Sequence, residues 1–421
     1  MPMVSGSEVC AHRMLFLLMG TVMNTFRILY FDCELDLDVD IYNVSKQLGI
    51  DIIFAVLGKG VGANLKNRWR PMPLVGKVYE VQDDNEQEKQ LELLIRELSP
   101  KLLWVRSLST NPEVVTSLSA KYGIPVVAWC TEQGASREGM SKAVRGFPYV
   151  IVNNLADLEF YSSYHEKVFY MPYCADTSFF RKVEPSGKFR AELGSYGNPY
   201  YNTARTALGM GGEKKFSVDT LVKPAIDARY CVKLWGNSGG KSPERGWLQV
   251  PYVAKNPITR LMSYYPVDRR LFWAVAKRVH ALGPFYGSRF AKIGSAYQGP
   301  FEWKDYAAVN SSIKVFANVD HNFKFYRTYS PKLVRAMACG TAVLHMHTSG
   351  IEEDFVNHKH LIWSDGYENT RELLHYYLDT KNKEKLNRIG ENAMQMVSEK
   401  YDLSKWLPKI LDEIKQILKI N

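Results

Sequence analysis

The stretch YRTYSPKLVRAMACGTAVLHMHTSGIEE, residues Tyr326 to Glu353, predicts a helix, a tight turn and a buried strand in succession. Ser330 is a preferred N-cap residue, and Pro331 suits the first helical turn, because that position leaves its backbone N–H unpaired anyway. Gly340 supplies the left-handed residue that ends a helix, and the apolar run from Thr341 to Met346 is typical of a short buried strand.

The same stretch places three cations close to the start of the predicted helix, namely Arg327, Lys332 and Arg335. The N–H groups at a helix N-terminus favour an anion, and nearby cations strengthen that preference. We therefore expect a phosphate cradle here, with Tyr326 and Ser330 beside it. The alternative is an ordinary capped amphipathic helix whose cations are solvated.

The length of 421 residues is typical of about two domains. A hydrophobic content of 46% and a charged content of 23% are ordinary globular values, which exclude a disordered chain or a fibre. The six cysteines are scattered without metal-ligand spacing, which favours reduced thiols and a cytoplasmic location. We expect no essential metal and no cofactor.

The formal net charge of +10 indicates an anionic partner, either a phosphorylated small molecule, nucleic acid or a lipid surface. The apolar run from Met14 to Met23 lacks a small-x-small cleavage site, so we interpret residues 1–24 as a poorly ordered leader. No other stretch approaches the length that spans a bilayer, and no transmembrane segment is expected.

Short apolar runs alternate with helical segments from Phe26 onward. The predicted strands of the first half are mostly continuous in hydrophobicity, as buried parallel strands are: Phe26–Phe31, Asp51–Leu57, Leu102–Val105, Pro125–Trp129, Tyr149–Val152 and Val168–Met171. The predicted helices between them are Ile41–Leu48, Asn85–Leu98, Pro112–Tyr122 and Leu155–Tyr164. This alternation predicts an α/β fold with a doubly wound parallel sheet.

Such sheets bind ligands beyond the carboxyl ends of their strands, where Asp32, Arg106, Glu132 and Asn153 are expected. An irregular segment from Pro172 to Pro185 is interpreted as an interdomain linker. The predicted domains are therefore residues 25–174 and 175–402, with a final helix, 403–421, that packs back on the first domain.

The second half repeats the order of strand, glycine turn and helix. Its turns, Gly197 with Asn198 and Gly236 with Asn237, let the backbone approach a ligand closely. Residues 241–294 interleave basic and aromatic side chains, which is typical either of an amphipathic helical insertion or of a surface for single-stranded nucleic acid or membrane. We favour the helical insertion, because no RNA-binding motif is present.

The arrangement resembles the GT-B glycosyltransferases of group 1, which are family 4-like, and most closely the spore-maturation branch. The resemblance is carried by MPYCADTSFF from Met171, by YQGPFEWKDYAAVNSSIKVFANV from Tyr297, and by SPKLVRAMACGTAVL followed by SGIEEDF. It implies two Rossmann-like domains facing across a cleft, a nucleotide-sugar donor on the second and an acceptor on the first. The alternative fold is a nucleotide-sugar epimerase or a periplasmic-type binder, although no GxGxxG fingerprint follows the first strand.

The sequence departs from the family where many members carry two glutamates eight positions apart, since Arg327 and Arg335 stand there. Guanidinium groups do not accept hydrogen bonds from sugar hydroxyls, but they bind phosphate oxygens bidentately. We expect Arg327, Lys332 and Arg335 to bind the donor and to stabilise the leaving nucleotide diphosphate, and Ser349, Gly350 and Glu352 to face the sugar or phosphate.

The expected activity is transfer of a hexosyl or related group, with retention of the anomeric configuration, to a glycan, a small molecule or a nucleic acid. If the reaction inverts, Glu132 or Asp32 is the expected base. One alternative is a glycosyltransferase that acts on a modified base in DNA, which the positive charge and residues 241–294 motivate. Another is a non-catalytic sugar-binding or structural protein, which the loss of both glutamates favours.

Overall fold

The computed structural model describes residues 26–31, 36–58, 73, 75–81, 83–106, 111–131, 144–197, 212–236, 296, 298–320 and 326–420. The predicted leader, the basic insertion 241–294 and four of the expected site residues (Asp32, Glu132, Asn198 and Asn237) lie outside these ranges. No described helix has the length and apolar character needed to cross a bilayer.

The first sheet has seven parallel strands in the order β3-β2-β1-β4-β5-β6-β7. These strands are β1 Ile28–Phe31, β2 Ile52–Gly58, β3 Lys77–Glu80, β4 Leu102–Arg106, β5 Val126–Cys130, β6 Tyr149–Val152 and β7 Lys167–Tyr170. β1, β4 and β5 are buried along their whole length, as expected for continuous apolar strands covered on both faces. The prediction of a doubly wound parallel sheet is confirmed.

The second sheet has five parallel strands in the order β12-β11-β10-β8-β9. These strands are β8 Ala191–Tyr196, β9 Val232–Trp235, β10 Ile313–Asn318, β11 Ala342–Met346 and β12 Ile362–Ser364. The crossover between β10 and β11 is the helix of the Tyr326–Glu353 stretch, so the loops at its start lie at the carboxyl end of this sheet.

The longer helices cover the faces of both sheets. In the first domain they are α1 Asp36–Leu48, α2 Asp84–Leu98, α3 Pro112–Tyr122 and α4 Leu155–Ser162. After the first domain they are α5 Gly212–Leu221, α6 Lys223–Asp227, α7 Tyr306–Ser311, α8 Pro331–Ala338, α9 Tyr367–Leu378, α10 Lys383–Lys400 and α11 Leu403–Leu418.

The last helix returns to the first domain. α11 packs on α1 and on β7 through an apolar stripe that includes the buried residues Leu407, Ile410 and Ile414. Beside it the chain crosses between the domains a second time, where Ala175 N–H donates to Tyr401 O at 2.9 Å and Leu403 N–H donates to Ala175 O at 2.9 Å. The two crossings are therefore hydrogen-bonded to each other.

Two strands escaped the sequence patterns. β3 is a four-residue edge strand whose alternating KVYE has only two apolar residues, and β12 has only three residues. The helical stretch between β8 and β9 is divided into two helices, α5 and α6, because Pro224 cannot donate the backbone hydrogen bond that would continue the first one.

Candidate active site at the start of α8

The N-terminus of α8 lies at the carboxyl end of β10 and has no side-chain cap. Ser330 has the extended backbone of an N-cap residue, but its hydroxyl donates to Asn318 Oδ1 at 3.0 Å and does not cap the helix. The expected capping by Ser330 is therefore wrong in detail. The amide of Asn318 lies 3.2 Å from Nδ1 of the fully buried His345 at the end of β11. The partial positive charge at the N-terminus of α8 therefore has no side-chain cap and favours an anion.

The guanidinium group of Arg327 is bound by carboxylates and is not left for phosphate, as the cradle required. Its Nε and Nη2 donate to Asp354 at 2.8 and 2.6 Å, and its Nη1 donates to Glu353 at 2.9 Å. The hydrogen-bonded carboxylate of Asp354 raises the pKa of Arg327. Three of its nitrogens are thus directed to carboxylates, and the expected grip of Arg327 on phosphate oxygens is corrected to a structural ion pair.

This ion pair closes a loop around the glycine turn after β11. The backbone N–H of Arg327 donates to Ser349 O at 2.6 Å, and the Tyr326 hydroxyl donates to Glu353. Gly350 has a positive φ of 84°, and an added Cβ would lie 2.4 Å from Cε2 of Tyr326. The structure therefore brings Tyr326, Arg327, Ser349 and Gly350 together.

The structure contradicts the predicted role of Arg335 in binding the donor. Its side chain is fully buried, and Nη2 lies 2.5 Å from Oδ2 of Asp40 in α1, across the domain boundary. Its guanidinium lies 4.9 Å from the ring centroid of Phe180 and 5.6 Å from that of Trp303. A donor phosphate cannot reach a guanidinium without solvent access, so the expected donor-binding role of Arg335 is wrong.

Lys332 is the one cation of the predicted cradle that stays at the helix start. Its Nζ donates to the carbonyl oxygen of Val319, just after β10, at 2.7 Å.

Glu352 lies further out, with a side chain that is 56% exposed and 3.8 Å from His347. His347 is itself partly exposed, so of the two alternating histidines His345 is in the core and His347 is at the rim.

The glycine turns after β8 and β9 are in direct contact with each other. Gly197 N–H donates to Trp235 O at 3.0 Å. A Cβ on Gly236 would lie 2.0 Å from the carbonyl oxygen of Gly197, so only glycine permits this approach. Both residues lie at the same end of the sheet as the start of α8.

The first domain carries a buried polar network beyond its own strand ends. Arg106, which is 2% exposed, donates to Thr131 Oγ1 at 2.9 Å and lies 3.6 Å from the carboxylate of Asp38. Asn153 accepts from Trp129 Nε1 at 3.0 Å and donates to Met171 O at 2.7 Å. Arg106 and Asn153 therefore hold the ends of the strands in place through buried hydrogen bonds. Thr131, which Arg106 contacts, directly precedes Glu132 in the sequence.

The two domains also meet directly at the candidate site. Asn154, the N-cap of α4, donates from Nδ2 to Thr328 Oγ1 at 3.1 Å. Thr328 belongs to the segment that leads into α8. The rim of the first sheet and the segment that leads into α8 are therefore neighbours.

Sequence reasoning missed Asn318, Asp354, Asn154 and Asp40, whose partners lie between 12 and 295 positions away along the chain. Of these four residues, only Asp40 was indicated by its local sequence. The segment DLDVD places acidic residues on a helix that must pack against the sheet. Among the described residues, no group of three or more His, Cys, Asp or Glu side chains is arranged to hold a metal ion. The expectation that no metal is essential stays a prediction.

Residues 267–412 match a family model described as glycosyl transferase-like, which covers about a third of the chain and ends within α11. No curated protein sequence matches at a significant level. The sucrose-phosphate synthase of Thermosynechococcus elongatus has a similar structure, with a TM-score of 0.61 and 11% identity over 94% of this chain and 100% of that one.

Two further solved structures are similar over nearly their whole length. Anabaena HepE in complex with UDP-glucose has a TM-score of 0.60 and 11% identity, covering 93% of this chain and 99% of that one. A glycosyltransferase from Rickettsia africae has a TM-score of 0.56 and 12% identity, covering 94% and 100%. At these identities the likeness shows the fold. The chain has the GT-B fold of two Rossmann-like domains, and its second half contains a glycosyl transferase-like segment.

Proposed function

We propose that the protein transfers a sugar from a nucleotide-sugar donor to an acceptor that the first domain holds. The observation that carries this proposal is the start of α8, a helix N-terminus without a side-chain cap at the carboxyl end of a parallel sheet. The match to the glycosyl transferase-like model and the GT-B fold support it. The similar HepE structures, which contain UDP and UDP-glucose, favour a uridine nucleotide as the first donor to test.

In this proposal the diphosphate lies against the first turn of α8. The helix dipole and Lys332 stabilise the negative charge that grows as the nucleotide leaves, and they need no reorganisation to do so. Gly236 lets its turn pack tightly against that of Gly197 beside the nucleotide, and Gly350 lets its turn pack against the ring of Tyr326 beside the sugar. Arg327 acts indirectly, because it holds the loop that carries Gly350.

The first domain would present the acceptor and any base. Arg106 donates a hydrogen bond to the hydroxyl of Thr131, and the hydroxyl of Tyr173 donates one to the carbonyl oxygen of Thr131. Because Glu132 is the next residue, this network would fix the start of its loop. Glu132 and Asp32 remain our candidates for the base of an inverting reaction. Our preferred mechanism remains hexosyl transfer with retention of the anomeric configuration. A place in the spore-maturation branch and a cytoplasmic location are likewise proposals.

The test begins with UDP binding, measured by isothermal titration calorimetry. Replacing Lys332 by Gln should weaken UDP binding about tenfold or more, because charge-assisted hydrogen bonds to phosphate contribute about 1.5–3 kcal/mol. The matched control is Lys314→Gln at the opposite end of β10, where the ammonium group pairs with Glu192 on the surface. Unchanged affinity in Lys332→Gln, with both variants folded, would contradict the placement of the diphosphate.

A specific observation supports a second candidate, a non-catalytic sugar-binding protein. Both family glutamates are replaced by arginines, and carboxylates already bind both guanidinium groups. Turnover separates the two functions: a transferase releases UDP from UDP-glucose, at least slowly to water, whereas a binding protein returns the donor intact. Release of UDP that Lys332→Gln slows would favour the enzyme.

A further inference from the structure

A groove lies on the outer side of the second domain, between α9, α10 and the loop after the Ile351–Glu353 turn. Its volume is about 670 Å³, and it is open to solvent. We call it the cationic groove, after its main lining residues: His358, Lys359, Tyr376, Tyr377, Lys385 and Arg388. None of these residues belongs to the candidate active site.

The charge in the cationic groove has one sign. Lys359, Lys385 and Arg388 all line it, and no Asp or Glu does. Within the described ranges, none of the three cations forms an ion pair with a carboxylate, whereas other exposed cations of this chain, such as Arg371 in α9, do. Three like charges facing one cavity repel each other, so an anion between them would be stabilised.

The neighbouring histidines agree with this charge distribution. Burial and the ammonium groups of Lys359 and Lys400 lower the pKa of His360, so the region disfavours a further positive charge. His358 has a positive φ of 59°, and its Nδ1 lies 2.8 Å from the hydroxyl of Tyr377. A non-glycine residue in this backbone conformation is held there by its contacts, which makes the wall of the groove a built surface.

The walls also offer flat apolar area next to the charges. Tyr376 is 44% exposed, and Nζ of Lys385 donates to its hydroxyl and lies 4.9 Å from its ring centroid. Leu373 and Ile389 form the floor. Cations beside exposed aromatic rings suit a ligand that combines phosphate with a ring.

We propose that the cationic groove is a second binding site, which takes a phosphate-bearing ligand, and that it is separate from the donor site. The phosphate lies between Lys359, Lys385 and Arg388, and Arg388 contributes bidentate hydrogen bonds. The loop that bears His358 and Lys359 begins only a few residues after Asp354, the partner of Arg327.

The experiment measures the rate at which an amine-reactive reagent labels individual lysines, read by mass spectrometry of the full chain. Inorganic pyrophosphate is the first probe, and vesicles of phosphatidylcholine with phosphatidylglycerol are the second. Lys89 in α2, which is exposed and distant, is the internal reference. We expect pyrophosphate to slow labelling of Lys359 and Lys385 about threefold or more, with Lys89 unchanged.

Two matched variants assign any protection to the groove. Arg388→Gln should raise the pyrophosphate concentration needed for half-protection about tenfold. Arg371→Gln, which removes the same charge from α9 outside the groove, should not change it. Protection by vesicles alone would identify a lipid headgroup as the source of the phosphate. Protection by neither probe, or equal protection of Lys89, would overturn the proposal.

Discussion

Arg335 in α8 and Asp40 in α1 form an ion pair that is buried on both sides, with Nη2 of Arg335 2.5 Å from Oδ2 of Asp40. The pair joins α8 of the second domain to the first helix of the first domain. Two charges leave water in such a pair, and their mutual attraction offsets that loss only while both are present. The rings of Phe180, Trp303 and Tyr306 surround the guanidinium and exclude solvent.

Replacing Arg335 by Met should therefore destabilise the protein strongly. The substitution leaves the Asp40 carboxylate buried without its cation, which costs about 3–5 kcal/mol in comparable cases. We expect a corresponding loss in the free energy of unfolding from urea titration monitored by fluorescence. UDP affinity of the folded fraction should change little, because the guanidinium does not reach the donor site.

The double variant Asp40→Leu with Arg335→Met is the control for that prediction. Removing both charges leaves no unpaired ion, so it should recover most of the lost stability. If the double variant is as unstable as the single one, packing against the aromatic rings and not the ion pair explains the loss.

The contrast between Arg335 and Arg327 shows what sequence reasoning reached. Local sequence patterns predicted helix α8. Ser330 and Pro331 mark its start, and Gly340, which has a positive φ, follows its end. The role of each arginine depends on a carboxylate distant in sequence. Asp40 lies 295 positions from Arg335, and no pattern within a single helix indicates such a partner.

The glycine turn at the donor site gives a second prediction. Gly350→Ala should destabilise the protein by about 1–3 kcal/mol, because φ is positive there and the new Cβ would lie 2.4 Å from a Tyr326 ring carbon. It should also weaken UDP binding, since Tyr326 and Arg327 bracket the turn. Thermal unfolding with and without UDP measures both effects.

Gly187→Ala is the matched control for Gly350→Ala. Gly187 has no atom within 4 Å of an added Cβ, so alanine there should be neutral or slightly stabilising. A loss of stability equal to that of Gly350→Ala would show that the strain at the donor turn is not the cause.

His345 gives a prediction about pH. Burial lowers its pKa, and Lys332 adds to that effect, so the folded protein keeps the ring neutral. Below a pH of about 6.5 the unfolded chain binds a proton here that the folded protein does not, and stability must fall as the pH decreases. His345→Gln should make the decline between pH 7 and pH 5 shallower by at most about 1.4 kcal/mol per pH unit.

His165, whose pKa burial also lowers, contributes to the same decline in both proteins. The measurement is therefore the difference between the two curves of unfolding free energy against pH. Parallel curves would mean that His345 is not neutral in the folded protein at these pH values, or that it accepts its proton without loss of structure.

The last helix tests how the domains are held together. Leu407 in α11 is fully buried in the cluster that also contains Leu37 and Val44 of α1. Leu407→Ala should lower the free energy of unfolding by about 2–5 kcal/mol, because it removes buried methyl groups and leaves a cavity. Ile417→Ala in the same helix, where the side chain is 44% exposed, should cost less than about 1 kcal/mol. If the two variants lose the same stability, α11 contributes through its helix alone, and its contact with the first domain is not what secures the crossing at Ala175.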